Sequence, residues 1–374
     1  MKIGIDCRIW NEPGAGVGRY IQNLVREVYQ LDKKNDYILF ALKKDREQLQ
    51  KEFQNEKWSI VVADISWHTI AEQQKFPKII ENENLDLMHF TYFSVPVSYN
   101  RKFIVTMHDM IPFVYSTGKA STLPFPLFMA KRIAYKYIVK KALKNAAAII
   151  TPSLAVKNDI QKIIRIAEKK ISVTYEGISV FGEEQEVDIG IAKESYFLYV
   201  GNAYPHKNLK NLLEGFLKFS ASNPDTKLVI AGKKDFFYNR LLKLPVAIAL
   251  GKSFIFIDAP NDRELKYLYK HALSFVSCSL MEGFGLPALE AMSNRTSVIL
   301  SDIPIFREIC RDVPLAYFNP NNTQEIADAL NHVVKTSKEK RKEKIQLGQN
   351  LAKSYSWRDM AERTLKIYES CISL

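Results

Sequence analysis

Short apolar runs alternate with amphipathic segments along most of the chain. Apolar runs of four to six residues between turn signals are typical of strands buried on both faces of a parallel sheet, and helical periodicity fills the intervals. We therefore predict two series of strands joined by helices such as 20–30, 128–143 and 209–220. The first series comprises 3–7, 37–42, 59–62, 87–90, 103–106 and 147–151, and the second comprises 196–201, 227–231, 254–258, 274–278 and 297–301.

The two series predict two Rossmann-like, doubly wound α/β domains. A chain of 374 residues also exceeds what one hydrophobic core usually serves. The segment 179–194, with its charge-rich EEQEVD run, is the best linker candidate. We place the boundary between domains 1–180 and 181–356, and the cleft between two such domains is the default ligand site.

Composition narrows the class of protein. Hydrophobic residues at 47% and charged residues at 25% are those of an ordinary globular chain. No stretch reaches the ~18 apolar residues of a spanning helix, and the N-terminus lacks the apolar run of a signal peptide. Four scattered cysteines indicate neither a disulfide framework nor a zinc site. These features predict a cytoplasmic protein without integral membrane segments.

Positive charge is concentrated in one segment. The chain carries a formal +12, and residues 101–170 hold 14 Lys and Arg against three acids. Such a patch can face nucleic-acid phosphates, anionic lipid or only solvent. Within it, segment 123–143 interleaves apolar and basic residues, which is typical both of a membrane-surface helix and of a helix packed on its sheet with a basic outer face. The candidate membrane contacts are Phe125, Phe128, Lys131, Arg132, Lys136, Lys140 and Lys141.

Two motifs of the first domain lie at predicted strand ends. The glycine-rich loop 14–20 follows the first strand, where Gly16 and Gly18 would let a ligand approach the backbone, although a plain tight turn fits equally well. His108 ends the strand 103–106 and would point into the ligand crevice of a parallel sheet. A histidine that only caps the loop is the alternative, and His89 shares this geometry with weaker support.

Two further motifs lie in the second domain. Lys207 follows the strand 196–201 and precedes a helix, where a cation opposes the helix dipole but would suit a bound phosphate. The segment 281–292 (MEGFGLPALEAM) joins a strand to a helix, with two glycines ahead of Pro287. Amides that open a helix favour anions, and Glu282 and Glu290 could border the same pocket.

In this order the motifs resemble the retaining, nucleotide-sugar-dependent glycosyltransferases of family 4 with the GT-B fold, near the mannosyltransferase-like branch of bacterial surface polysaccharide synthesis. The likeness covers nearly the whole chain. It is carried by the loop 14–20 and by 86–93, 105–112, 150–160, 199–213, 229–235 and 282–292, the last matching the family's E-x7-E signature with Glu282 and Glu290. The helix 357–374 resembles the one that returns to complete the first domain.

The resemblance implies roles for the matching residues. Glu282 would hold the donor sugar and diphosphate, Glu290 would bind the nucleotide ribose, Lys207 would neutralise the diphosphate, and His108 would lie over the transferred sugar. The backbone around the diphosphate would be that of Gly283, Phe284, Gly285 and Leu286. Asn202 stands where the family commonly has an arginine, and Glu176-Gly177 stands where it frequently has Asn-Gly.

The implied reaction moves a hexose, with mannose slightly favoured, from a GDP- or UDP-linked donor to a glycan or lipid-linked acceptor. No Asp-x-Asp metal motif is evident, so Lys207 and the helix-start amides would replace a divalent cation, and no cofactor besides the donor is implied. A GT-B sugar-nucleotide epimerase is the alternative enzyme. A non-catalytic sugar receptor or a nucleic-acid binder fits less well, because no export signal or recognition motif is found. We expect no nucleic-acid partner and, at most, peripheral association with the inner face of the cell membrane.

Overall fold

The computed structural model describes residues 1–11, 16–115, 124–178, 187, 190–191 and 195–372. Its strands are β1 Lys2–Asp6, β2 Asp36–Ala41, β3 Trp58–Val62, β4 Leu87–Phe90, β5 Phe103–Thr106, β6 Ala148–Thr151, β7 Ile171–Val173, β8 Ser195–Val200, β9 Thr226–Gly232, β10 Phe254–Asp258, β11 Ser274–Ser277, β12 Val298–Ser301 and β13 Ala316–Phe318. Its α-helices are α1 Gly16–Leu31, α2 Arg46–Glu52, α3 Ile70–Glu81, α4 Ile111–Val114, α5 Phe125–Asn145, α6 Leu154–Ile164, α7 Leu209–Ser220, α8 Phe236–Leu242, α9 Pro245–Leu250, α10 Asp262–His271, α11 Leu286–Ser293, α12 Pro304–Cys310, α13 Thr323–Lys335, α14 Lys338–Ala352 and α15 Trp357–Ile372.

The chain forms two compact units. Unit 1 comprises Met1–Gly177 together with Ser356–Leu374, and unit 2 comprises Ile178–Tyr355. The predicted boundaries, 180/181 and 356/357, lie within three residues of these. Most of the predicted linker, 179–194, falls outside the described residues.

Unit 1 is built on a seven-stranded parallel sheet in the order β3-β2-β1-β4-β5-β6-β7. Its strands are short and almost wholly apolar because helices cover both faces of a doubly wound sheet. The C-terminal helix α15 packs on α1, and its Tyr368 is almost fully buried. Residues far apart in the sequence therefore share the core of this unit.

Unit 2 repeats the plan with six parallel strands in the order β10-β9-β8-β11-β12-β13. A hydrophobic core cluster joins the strands to α7 and α13, with Phe216, Phe219 and Leu330 fully buried. In both sheets the strand order reverses direction once, between β1 and β4 and between β8 and β11. Ligands of doubly wound folds bind outside the carboxyl ends of the strands at such a reversal.

Candidate active site

The loops that follow β8 and β11 meet at the carboxyl edge of the second sheet, at its reversal point. β8 and β11 are adjacent and parallel, so both loops emerge at the same edge. The backbone N–H of Leu280 donates to the carbonyl of His206 over 2.8 Å, which ties the two loops together. Side chains separated by some 75 residues of sequence are thereby brought into contact.

Lys207 and Glu282 form an ion pair across these loops. The Lys207 Nζ lies 2.7 Å from each carboxylate oxygen of Glu282. The Ser279 hydroxyl donates to Oε1 of the same carboxylate over 2.7 Å. Only 15% of the lysine side chain and 12% of the glutamate side chain are exposed. The structure thus joins two residues that the sequence identified separately.

The electrostatics of this pair favour a charged carboxylate. Burial by itself would raise the pKa of Glu282, but the Lys207 charge, His206 and the bonds from Lys207 and Ser279 hold it below its usual range. Burial, together with the Lys207 charge, lowers the pKa of His206 to about 4, so this imidazole is neutral at physiological pH. Lys207 is therefore the cation of the cluster.

The segment Gly283–Leu286 leads into α11 without a side-chain cap. Gly285 is the N-cap residue with φ +86°, and a Cβ there would lie 2.7 Å from the Phe306 ring. Glycine therefore satisfies both the left-handed backbone and the close approach. Pro287 occupies the first turn, which carries no acidic side chain. The helix start next to Glu282 is consequently favourable to an anion.

Glu290 lies in the second turn of α11 and is 3% exposed. The Tyr269 hydroxyl donates to its Oε2 over 3.2 Å, and Tyr269 is fully buried on α10. The Glu290 carboxylate thus already accepts a hydrogen bond from one hydroxyl group, which is the kind of donor that a ribose presents. The role of Glu290 at a ribose stays a prediction.

Asn202 is turned toward its own loop. Its Oδ1 accepts from the Tyr204 N–H over 3.3 Å, and its carbonyl accepts from the Tyr199 hydroxyl over 2.7 Å. The Tyr238 hydroxyl similarly donates to the Gly201 carbonyl over 2.5 Å. Buried tyrosines thus hold the loop that carries Lys207. Sequence reasoning missed them, because a buried tyrosine that packs and one that also donates look the same in a sequence.

His108 lies in unit 1, at the carboxyl edge of the first sheet. Its Nε2 is 3.0 Å from the Thr91 carbonyl, and its Nδ1 is 3.4 Å from Oε1 of Glu176. The Tyr20 ring and the imidazole pack in a T-shaped arrangement, with 4.7 Å between their centroids. His108 is 8% exposed and Glu176 is 5% exposed. Glu176 was not among the predicted site residues.

His89 is a core residue. It is fully buried, with its ring nitrogens 2.7 Å from the Tyr368 hydroxyl and 2.8 Å from the Thr106 hydroxyl. Burial and the nearby His108 lower the pKa of His89 to about 3, so it is neutral. The same Thr106 oxygen lies 3.1 Å from the Tyr20 hydroxyl, which links α1 and α15 beneath His108.

The predicted glycine-rich loop is partly helical. Gly16 and Gly18 belong to the first turn of α1 in unit 1, Gly16 exposed and Gly18 buried, while Gly14 and Ala15 lie outside the described residues. The N-terminal end of α1 therefore begins four residues before the predicted position. Donor binding by Gly16 and Gly18 stays a prediction.

Within the described ranges, no group of three or more His, Cys, Asp or Glu side chains is arranged to hold a metal ion. The same residues contain no helix that is both long and apolar enough to cross a membrane. All four cysteines are buried and unpaired with one another.

The two units, one with a seven-stranded and one with a six-stranded parallel sheet, are the two Rossmann-like domains of a GT-B fold. The chain superposes on the Anabaena protein Alr3699/HepE, solved in complex with UDP-glucose, with a TM-score of 0.73 over 99% of this chain and 100% of that one. The sequences are 14% identical, so this likeness concerns the fold. The predicted fold class is confirmed.

The sequence comparisons give the family. The model "Glycosyltransferase Family 4" matches residues 14–180, and "Glycosyl transferases group 1" matches residues 182–351. The chain belongs to the family 4 glycosyltransferases, as the motifs predicted, and the epimerase alternative is not favoured.

Two relatives illustrate the membership. The O-antigen chain mannosyltransferase RfbU of Salmonella typhimurium is 29% identical over 269 residues, which span 71% of this chain and 70% of RfbU. The GDP-mannose:cellobiosyl-diphosphopolyprenol alpha-mannosyltransferase of Komagataeibacter xylinus is 28% identical over 181 residues, or 47% of this chain and 45% of that one.

Proposed function

We propose that this glycosyltransferase moves a hexose, with mannose favoured, from a nucleoside-diphosphate sugar to a glycan or lipid-linked acceptor in surface polysaccharide synthesis. The names of RfbU and of the Komagataeibacter enzyme support mannose and a polyprenol-linked acceptor. The Lys207–Glu282 pair, which lies beside the uncapped start of α11 at the reversal point of the second sheet, gives the strongest support for a donor site.

Donor binding would rearrange this pair. A diphosphate carries more charge than one carboxylate, so Lys207 would transfer its contact from Glu282 to a phosphate oxygen. The released Glu282 carboxylate, still bonded by Ser279, could then accept sugar hydroxyls. The amides around Gly285 would face the diphosphate, and Glu290 would accept ribose hydroxyls.

The proposed reaction breaks the bond between the anomeric carbon and the donor phosphate oxygen and forms one to an acceptor oxygen. The acceptor proton passes to the departing phosphate, which leaves as the nucleoside diphosphate. Front-face attack gives retention of the anomeric configuration. The name of the Komagataeibacter relative agrees with retention, because it describes an alpha-mannosyltransferase and the mannose of its donor, GDP-mannose, is itself alpha-linked. Lys207 and the helix-start amides would stabilise the leaving group without a metal or cofactor.

A thermal-shift panel of GDP, UDP and their sugars tests the donor class, because a ligand that binds the folded state raises its apparent stability. We expect one nucleoside diphosphate and its sugar to raise the melting temperature selectively. Product analysis with donor alone separates the epimerase, which would convert its donor without an acceptor. No shift with any member of the panel would contradict the proposed donor.

We further propose that α5 meets an anionic membrane surface. Leu127, Ile133 and Tyr137 on this helix are 55–66% exposed, and the exposed Lys131, Lys140 and Lys144 lie beside them. Apolar insertion and attraction to anionic lipid reinforce each other in such a helix. The set of residues predicted to contact the membrane therefore differs from the one expected from the sequence.

Four members of that set are half-buried in the structure. Arg132, Lys136 and Lys141 are half-buried, and Lys136 lies over the Phe113 ring, 5.9 Å from its centroid. Phe128 is also half-buried, and the side chain of Phe125 lies outside the described part of the chain. Lys131 and Lys140 are the exposed members of the basic set.

Vesicle sedimentation tests this surface. Replacing Lys131, Lys140 and Lys144 by Gln should weaken binding to phosphatidylserine vesicles roughly 100-fold, at ~1 kcal/mol per lysine. A matched control replaces the exposed lysines 338, 340 and 342 of unit 2, which should change binding little. If wild-type protein ignores anionic vesicles at low salt, the basic segment faces only solvent and a soluble acceptor is favoured.

A further inference from the structure

Both ring nitrogens of His108 face oxygen atoms. Nε2 is 3.0 Å from the Thr91 carbonyl, which can only accept a hydrogen bond, so this nitrogen carries a proton. Nδ1 is 3.4 Å from a carboxylate oxygen of Glu176. A neutral ring protonated at Nε2 would present the lone pair of Nδ1 to that carboxylate.

Two acceptors in contact are unfavourable in a site that is 5–8% exposed. A proton between Nδ1 and Oε1 removes the conflict, and when Nδ1 holds that proton the result is a buried imidazolium paired with a carboxylate. The resembled family frequently has Asn at the position of Glu176, and an uncharged Asn side chain could not form an ion pair with His108. The pair therefore depends on the glutamate of this chain.

The other groups described around His108 are two tyrosine rings, a neutral histidine and the Asp109 carboxylate. Tyr20 and Tyr92 present rings, 4.7 and 6.3 Å away between centroids, and His89 behind Thr106 is neutral. Asp109, on the same loop as His108, has its Oδ1 bonded to the Ile111 N–H over 2.8 Å.

The backbone at Glu176 is also fixed. Gly177 lies so close to the backbone of Trp357, at the start of α15, that a Cβ would overlap it. The Thr174 N–H donates to the Thr151 carbonyl over 2.9 Å, which continues the pairing of β7 with β6. The carboxylate is thus presented to His108 from a rigid segment.

We propose that Glu176 is a positioning residue that holds a proton on Nδ1 of His108 and thereby fixes the imidazole as an oriented cation at the edge of the first sheet. Its importance for transfer rests on the proposed function and on the place over the transferred sugar that the family resemblance implies for His108. Because neither nitrogen is left to accept a proton, His108 would not be the base that activates the acceptor. This agrees with a proton passing to the departing phosphate.

NMR of the full chain with 15N-labelled histidine tests the pair directly. We expect the His108 signals, assigned by their loss in His108→Ala, to show both nitrogens protonated at pH 7.5. In Glu176→Gln the amide can donate to Nδ1, so the ring should become neutral, with its proton on Nε2, while the other five histidines are unchanged. A neutral His108 in the wild type, or signals unaffected by Glu176→Gln, would overturn the proposal.

Turnover of GDP-mannose gives the functional readout. Glu176→Gln should lower it roughly 3- to 100-fold at pH 8 but have little effect in a His108→Ala background, since the two residues act as one unit. Lowering the pH to 6 should restore part of the activity, because the neutral ring can then take its proton from solvent. A merely structural role would give neither the pH recovery nor the non-additivity.

Glu168→Gln is the matched control, because this exposed glutamate pairs with Lys157 away from His108. It should leave both readouts unchanged. If the histidine signals behave as expected while wild-type protein turns over no nucleotide sugar, the pair stands and the proposed function fails.

Discussion

Breaking the Lys207–Glu282 pair should destabilise unit 2 in a measurable way. Lys207→Met keeps the aliphatic part of the side chain but leaves the Glu282 carboxylate without its cation. Removing one partner of a buried ion pair typically costs about 3–5 kcal/mol. Here Ser279 retains its hydrogen bond to the carboxylate, and 12–15% of each side chain is exposed, so we expect about 2–4 kcal/mol.

Native-state hydrogen exchange followed by mass spectrometry reports this loss for each unit separately. Peptides covering β8 and β11 should exchange roughly 30- to 900-fold faster, at a factor of ten per ~1.4 kcal/mol. Peptides covering β5 of unit 1 are an internal reference and should not change. The double variant Lys207→Met/Glu282→Gln should recover most of the protection, because the remaining group carries no charge.

Lys210→Met is the matched control. It breaks an exposed pair with Glu214 at 3.5 Å, whose side chains are 65% and 38% exposed, and should cost less than about 1 kcal/mol. If the amides of Lys207→Met exchange within threefold of the wild-type rate, or if the two variants are equally destabilised, the buried pair does not stabilise unit 2.

Three further outcomes follow from the same site. The pKa of His206 is lowered to about 4, so below pH 6.5 the unfolded chain takes up a proton at this histidine while the folded chain does not. The free energy of unfolding should therefore fall between pH 6.5 and 4, by up to about 3 kcal/mol. His206→Asn should flatten this slope when denaturation is measured at each pH. Turnover should survive thorough treatment with EDTA, and an activity that returns only with magnesium or manganese would count against the metal-free proposal. Lys207→Arg should retain more turnover than Lys207→Ala, because it keeps the charge near the leaving group, and equal rates for all three proteins would show that this charge is dispensable.

The fold was largely predictable because buried parallel strands are short, continuous apolar runs. Eleven strands were placed within a residue or two of their observed ends. The two that were missed, β7 and β13, are three-residue edge strands with partly exposed residues, and such short segments give no clear apolar run. The early start of α1 was missed because its first turn contains two glycines, which favour a loop on propensity alone.

The site was predictable residue by residue but not contact by contact. Lys207 and Glu282 stood out because each follows a strand at a helix start, where their charge needs an explanation. Their pairing depends on β8 lying next to β11, which only the sheet order reveals. Glu176 stood out only as a departure from the family's frequent Asn-Gly, and its contact with His108 could not be predicted because the two residues lie 68 positions apart and follow different strands.

Calorimetric titration with GDP-mannose and UDP-glucose, in parallel with Glu290→Ala, shows whether Lys207, Glu282 and the start of α11 in unit 2 form a nucleotide-sugar site. We expect the wild type to bind one of these donors at one site per chain and Glu290→Ala to bind it about 10- to 150-fold more weakly, since hydrogen bonds to a charged carboxylate contribute ~1.5–3 kcal/mol. Glu214→Ala, on the half-exposed face of α7, is the control and should bind as the wild type does. Equal affinity in wild type and a correctly folded Glu290→Ala, or no binding of either donor by the wild type, would contradict the account.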